Sequence, residues 1–280
     1  MIFLEVGVKL FIFAYESQKT ERLFIMLVLL SCAKTMNAKV PAATPDVVTI
    51  PRYQEIANEI AMAMTQYSVD QLEQELTINT ELAVENYKRY QSFHTPESPK
   101  LPALLSYSGI VFQQLNAETF TPEDWDYAQN HLRLTSFCYG LLRPLDLIHP
   151  YRLEGRIKIP ELGGKTLYAF WKERLTDQFL EDINAAGGTL CNLASAEMKK
   201  LFDWKRIERE VEVITPTFQV VKEGRKKTIV IYAKMCRGAM ARFILQNELK
   251  KEEDLFSFDW EGFAYEEGSV SGNPSFLLHS

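Results

Sequence analysis

Apolar residues in this chain gather in short unbroken runs, separated by stretches where apolar and polar positions alternate at helical spacing. Residues 26–31, MLVLLS, are apolar without interruption and too short for a helix, so they predict a strand buried on both faces. Residues 189–193 (TLCNL) predict a second buried strand and residues 228–233 (TIVIYA) a third, the last paired with 209–221 in a hairpin around Glu223-Gly224-Arg225-Lys226. Helical spacing runs through 53–90, enough for two or three helices, then through 167–183, where Gly187-Gly188 stops it, and through 239–249. The proline-bearing stretches 41–51 and 93–102 read as connectors, and the tail holds two apolar runs, 262–265 and 275–278, across a Gly-Ser turn. With no repeat and no linker, the pattern predicts one α+β domain: a mixed central β-sheet covered by helices.

Residues 121–155 carry the densest local signals. Thr121 is placed to cap free N–H groups, Pro122 suits the first turn, and Asp124 completes a capping box, so a helix starts at Pro122. Trp125, Ala128, Leu132 and Tyr139 fall on one side of it and Tyr127, Leu134, Phe137, Cys138 and Leu141 on the other, which predicts a helix sandwiched inside the molecule. The pattern breaks at residues 139–144, where Gly140 permits a left-handed backbone and Pro144 can start a second helix at Leu145. Helix, glycine turn, helix is the layout of helix-hairpin-helix DNA-binding modules, in which turn N–H groups and flanking cations hold a phosphate. Here Tyr139, Gly140 and Leu141 would supply the turn, and Arg133, Arg143, Arg152 and Arg156 the cations. The same pattern also fits an ordinary helical corner with solvated arginines.

Charge narrows the function classes. With 31 Lys and Arg against 37 Asp and Glu, the net charge of -6 excludes coating of nucleic acid or anionic membrane by bulk attraction, so any DNA contact needs a local patch. Cys32, Cys138, Cys191 and Cys236 are far apart and the four histidines are not clustered, which predicts no metal site, no disulfide scaffold and no bound cofactor, in a reducing cytoplasm. In residues 1–25 the apolar run 6–15 is broken by Lys9 and lacks a basic start and a cleavage site. It predicts neither a signal peptide nor a membrane span. The segment is expected to be an extension upstream of a natural start at Met26, with the domain at 26–280; the alternative is an N-terminal strand or helix packed on that domain.

Candidate chemistry lies past the carboxyl ends of the three expected strands, where parallel sheets gather their ligands. Ser31, Lys34 and Thr35 follow the first, Asn192 and Ser195 close the second, and Lys234 and Arg237 follow the third; as neighbours they would form one anion-binding cleft. From Lys222 to Arg242, seven cations stand against Glu223 alone, a local +6 of the kind that phosphate contacts need. The Lys34-Thr35 pair lacks the glycines of a phosphate-binding loop, so a nucleotide triphosphatase is not expected. No catalytic residue is assigned. His131 and His149 have no Ser or Cys at triad spacing, Asp124 and Asp126 suit a helix start, and Cys191 reads as an inert core thiol.

LLSCAKTM, AETFTPEDWDYAQNHLRLTSFCYGLLRPLDLIHPYRLEG, LYAFW, CNLAS and YAKMCRGAMARFI, in that order, closely resemble the YaaA family of bacterial peroxide stress resistance proteins. The likeness runs from Met26 to the C-terminus. It implies a cytosolic protein that limits intracellular unincorporated iron, with a helix-hairpin-helix-like element at residues 139–144 and a positively charged DNA-binding cleft. The family's Ser-x-Ala-Lys-Thr motif falls on Ser31, Ala33, Lys34 and Thr35, and its Tyr-Ala-Lys-x-x-Arg-Gly motif on Tyr232, Ala233, Lys234, Arg237 and Gly238. The leading expectation is therefore a DNA-binding protein of the peroxide response, selective for DNA structure rather than sequence and without a membrane partner. The alternative is an enzyme acting on a small phosphorylated or carboxylated ligand in the same cleft.

Overall fold

A computed structural model describes residues 26–37 and 45–279 of the chain. The reading of residues 1–25 lies outside them. Among the described residues twelve strands follow in chain order: β1 (Met26–Leu30), β2 (Leu101–Pro102), β3 (Leu132–Ser136), β4 (Gly140–Leu142), β5 (Leu147–Ile148), β6 (Thr189–Asn192), β7 (Glu212–Ile214), β8 (Thr217–Lys222), β9 (Arg225–Lys227), β10 (Asp259–Trp260), β11 (Phe263–Tyr265) and β12 (Ser275–His279). The helices are α1 (Gln54–Met64), α2 (Val69–Leu76), α3 (Thr80–Ser92), α4 (Ala103–Ser106), α5 (Ile110–Leu115), α6 (Pro122–His131), α7 (Leu167–Ala185), α8 (Trp204–Glu210) and α9 (Val230–Gln246).

The core sheet has the order β4-β3-β1-β6-β7. Its middle strand β1 runs parallel to both neighbours, with Val28 opposite Leu132 on one side and Cys191 on the other. All five β1 residues have no solvent exposure, as an uninterrupted apolar strand between covered faces requires. Helices α6, α7 and α9 pack against it. A second sheet, β10-β11-β12-β8-β9, holds the strands from Thr217 to His279, and β2 pairs with β5 in a short ribbon. The expected α+β architecture is therefore present, with its strands in two larger sheets rather than one.

Two expectations fail. Helix α6 begins at the Thr121 capping box as read, but it stops at His131, and residues 132–136 form a buried strand instead of the next helical turns. Parallel pairing with β1 overrides the two-sided helical pattern, because leaving β1 without a partner on that side would strand its buried N–H and C=O groups. Residues 137–139 then turn the chain into β4, which pairs antiparallel with β3. Gly140 does take the left-handed backbone (φ 72°), but within a β-hairpin. The helix-hairpin-helix reading of Tyr139, Gly140 and Leu141 is thereby corrected. All three are buried; Gly140 and Leu141 pair with β3 at the sheet edge, and the Tyr139 N–H in the turn donates to Ser136 Oγ at 2.9 Å.

The second failure is at 228–233. Strand β9 ends at Lys227, and the apolar run opens α9, with Val230, Ile231 and Tyr232 at 67%, 53% and 40% exposure. The face that α9 buries carries Ala233, Cys236, Ala239 and Met240 instead.

Arg133, in β3, is sealed in the interior. Its Nε donates to Asp182 Oδ2 at 2.8 Å, and its Nη1 donates to the carbonyls of Gln129 and Leu132. Removing one member of such a pair leaves the other as a buried, uncompensated charge. Asp182→Ala is expected to cost about 3–5 kcal/mol of unfolding free energy, measured by urea denaturation. Helix α9 approaches α5 so closely that a Cβ on Gly238 would collide with the Val111 carbonyl oxygen. Gly238→Ala should therefore lower stability by about 1–3 kcal/mol, read as a lower urea midpoint at unchanged slope.

Candidate anion-binding cleft

Two parallel strand ends and one helix converge on a cavity of about 380 Å³. The loop after β1 supplies Ser31, Cys32, Lys34 and Thr35, the loop after β6 supplies Ser195 and Glu197, and α9 supplies Lys234 and Arg237. Arg152 comes from the segment after β5, and α5 contributes Ile110 and Phe112. The two loops are stitched together: the Ser195 N–H donates to Ser31 Oγ at 2.8 Å, and the Leu193 N–H donates to the Leu29 carbonyl at 3.0 Å. Across the other side of β1, the Cys32 N–H donates to Thr135 Oγ1 at 3.1 Å, tying the floor to β3.

Four cations, Lys34, Arg152, Lys234 and Arg237, line this cavity. Lys34 Nζ reaches the buried carboxylate of Glu154 at 2.8 Å, and Arg152 Nη2 lies 4.0 Å from the same oxygen. Glu197, a second carboxylate, accepts from Tyr168 Oη at 2.5 Å. Behind the wall a tyrosine network fixes the 151–154 segment. Tyr151 Oη meets Tyr107 Oη at 2.8 Å and Ser136 Oγ at 2.6 Å, and Tyr90 Oη donates to the Arg152 carbonyl at 2.6 Å. Burial holds all three phenols well above their ordinary pKa, so they stay neutral donors at any physiological pH.

Of the seven cleft residues expected from sequence, the cavity brings together Ser31, Lys34, Thr35, Ser195, Lys234 and Arg237. Asn192 is buried beside it, its Oδ1 accepting from the Ala194 N–H at 3.2 Å. Lys234 and Arg237 arrive from a helix rather than from a strand end. The arginines grouped with the hairpin scatter. Arg133 is interior, Arg143 pairs with Asp146 at 2.8 Å, Arg156 is tied to the Glu75 carbonyl at 2.8 Å, and Arg152 alone of these borders the cavity. The basic segment divides as well: Lys226 pairs with Glu266, and Arg242 binds the Leu115 and Asn116 carbonyls. His149 is buried against Phe93, and burial, with Lys100 nearby, pushes its pKa down to about 4. It is a packing residue outside the cleft.

The sequence matches the peroxide stress protein YaaA family over residues 26–269. The chain belongs to that family. It is 61% identical over 242 residues to a UPF0246 protein of Bacteroides thetaiotaomicron, covering 86% of this chain and 94% of the relative. A UPF0246 protein of Bacteroides fragilis is 55% identical at the same coverage, and one of Porphyromonas gingivalis is 44% identical over 257 residues, covering 90% of this chain and all of the relative.

In this YaaA-family chain, sequence reading missed Glu154, Glu197, Tyr151 and Tyr168. The only local signal for the first was its place two residues after Arg152, and Glu197 looked like one more acidic residue in a helical turn. Cys32 lines the cavity, yet it is a poor peroxide target: burial first, and then the negative fields of Glu197 and Glu154, push its thiol up to about 12 against a hydrogen bond with Thr135 that lowers it. Only the thiolate is nucleophilic. Iodoacetamide at pH 8 should alkylate Cys32 in the folded protein at least about a hundredfold more slowly than a free thiol, with the rate rising through pH 10 and above. Mass-spectrometric mapping of labelled peptides measures this.

Proposed function

We propose that this protein acts in the peroxide stress response as a cytoplasmic DNA-binding protein whose contact surface is the cation-lined cleft rather than the glycine hairpin. The observation that carries this reading is the convergence of Lys34, Arg152, Lys234 and Arg237 on one cavity of a chain that is acidic overall. Phosphate contacts of this kind position a strand without reading bases, so selectivity would rest on DNA shape or deformability. The limitation of unincorporated iron that the family resemblance implies is a separate part of this reading. Among the described residues no group of three His, Cys, Asp or Glu is placed to hold a metal.

A second reading, an enzyme acting on a small phosphorylated or carboxylated ligand, is favoured by the cavity's size. Its volume of about 380 Å³ lies within the range usual for small-ligand sites, roughly 300–1,000 Å³, and one carboxylate, Glu197, stands among the cations that line it.

Reversing Lys234 and Arg237 to Glu together is expected to weaken duplex binding on all sequences alike and to flatten the log-log salt slope by about two. Fluorescence anisotropy across salt concentrations measures both. Unchanged affinity and slope would move the DNA contact away from the cleft.

A further inference from the structure

A bare phosphodiester offers only acceptor oxygens, and the cleft holds more than a phosphate can use. Glu197 lines the cavity and would repel an anion placed against it. It is nevertheless fixed there, one oxygen taken by Tyr168 Oη, which leaves its remaining lone pairs to accept from a ligand N–H or O–H. Tyr168 cannot exchange that role for its own ionisation, because burial and the Glu197 charge both raise its pKa. Arg152 borders the same cavity. Its Nε is buried without a hydrogen-bond partner in the protein, and its Nη1 contact to the Lys34 carbonyl is long, at 3.4 Å. Phe112, Phe137, Leu193 and Met198 also border the cavity and add apolar atoms that a phosphate would leave untouched.

We propose that the cleft receives one whole nucleotide unit: its phosphate on Lys34, Lys234 and Arg237, its planar base against Phe112, Phe137 and Met198, and a base N–H donating to Glu197. Cations, apolar lining atoms and a fixed carboxylate acceptor complement phosphate, base face and base edge, and the cavity volume suits one such unit. The unit is either a free nucleoside monophosphate or an unpaired nucleotide of a strand, since both present the same chemistry. This assignment rests on the cleft being the phosphate site proposed above and adds what accompanies the phosphate.

Calorimetric titration of the full chain tests it, with inorganic phosphate, 2-deoxyribose 5-phosphate, the four deoxynucleoside monophosphates, a single-stranded tetranucleotide and a duplex as probes. The nucleoside monophosphates should bind at least about tenfold more tightly than either base-free phosphate. Glu197→Gln should weaken nucleotide binding by about fivefold while leaving inorganic phosphate unchanged or tighter, since it replaces a charged acceptor by a neutral amide and so weakens the accepted hydrogen bond while removing a repulsive charge. Tyr168→Phe, which keeps the charge but frees the carboxylate, should weaken nucleotides alone. A tetranucleotide binding more tightly than the monophosphates would make a strand the source; equal affinities would make it the free nucleotide. Equal binding of nucleotides and base-free phosphates, or a Glu197→Gln response of the same sign for both, overturns the inference. If the duplex still binds with a steep salt slope that Lys234 and Arg237 control, the DNA reading survives that failure. If no anion binds, the duplex included, both fall.

Discussion

Pairing of β1 on both edges is the constraint from which the rest follows. A strand with no solvent exposure must place every backbone N–H and C=O in a ladder, and here β3 and β6 take one side each, both parallel to it. Parallel neighbours end on the same side of the sheet, so the loop after β1 meets the loop after β6, and the side chain of Thr135 near the end of β3 reaches the first of these. The Ser31–Ser195 contact and the cavity floor are consequences of that geometry, and the crevice outside the carboxyl ends of such strands is where ligands gather in α/β sheets generally.

The same pairing explains the fate of the arginines. Drawing residues 132–136 into the sheet carries Arg133 inside, where Asp182 and two carbonyls must satisfy it. Arg143 is drawn to Asp146 in the turn that follows β4, and Arg156 to a carbonyl of α2. A row of cations that looks like a phosphate grip along the sequence is thus consumed by internal partners. At the cavity, Lys234 and Arg237 from α9 join Lys34 and Arg152 around a space that α5 and the two loops border, and there Lys34 and Arg152 share Glu154.

That arrangement mixes charge in a way a plain anion cradle would avoid. Glu154 anchors Lys34 and stands near Arg152, and Glu197 is locked by Tyr168 within the same wall. Interleaved acceptors and donors give a site directional demands on its ligand, whereas a patch of cations alone would attract any polyanion. The buried tyrosines behind Arg152 hold this geometry rigid, because each hydroxyl has a partner and each ring is packed.

Local rules were enough for the parts of the molecule where a residue's role depends on near neighbours in the chain. The uninterrupted apolar runs at 26–30 and 189–192 made β1 and β6 legible, the Thr121 capping box marked the start of α6, and small polar and cationic residues just past two strand ends marked most of the cleft. Tertiary structure decided what those rules left ambiguous. Residues 132–136 satisfy a helical wheel equally well and became a strand because β1 needed a partner there. Residues 228–233 have strand propensity, yet most of them joined α9, whose buried face was set by packing along the rest of the helix. Glu154, Glu197 and Tyr168 became site residues only through contacts with positions 29 to 120 residues away in the chain. Periodicity and composition report on the chain within a few turns of a residue; partners brought together by the closure of a sheet lie beyond that range, and so does the choice between two elements of equal local merit.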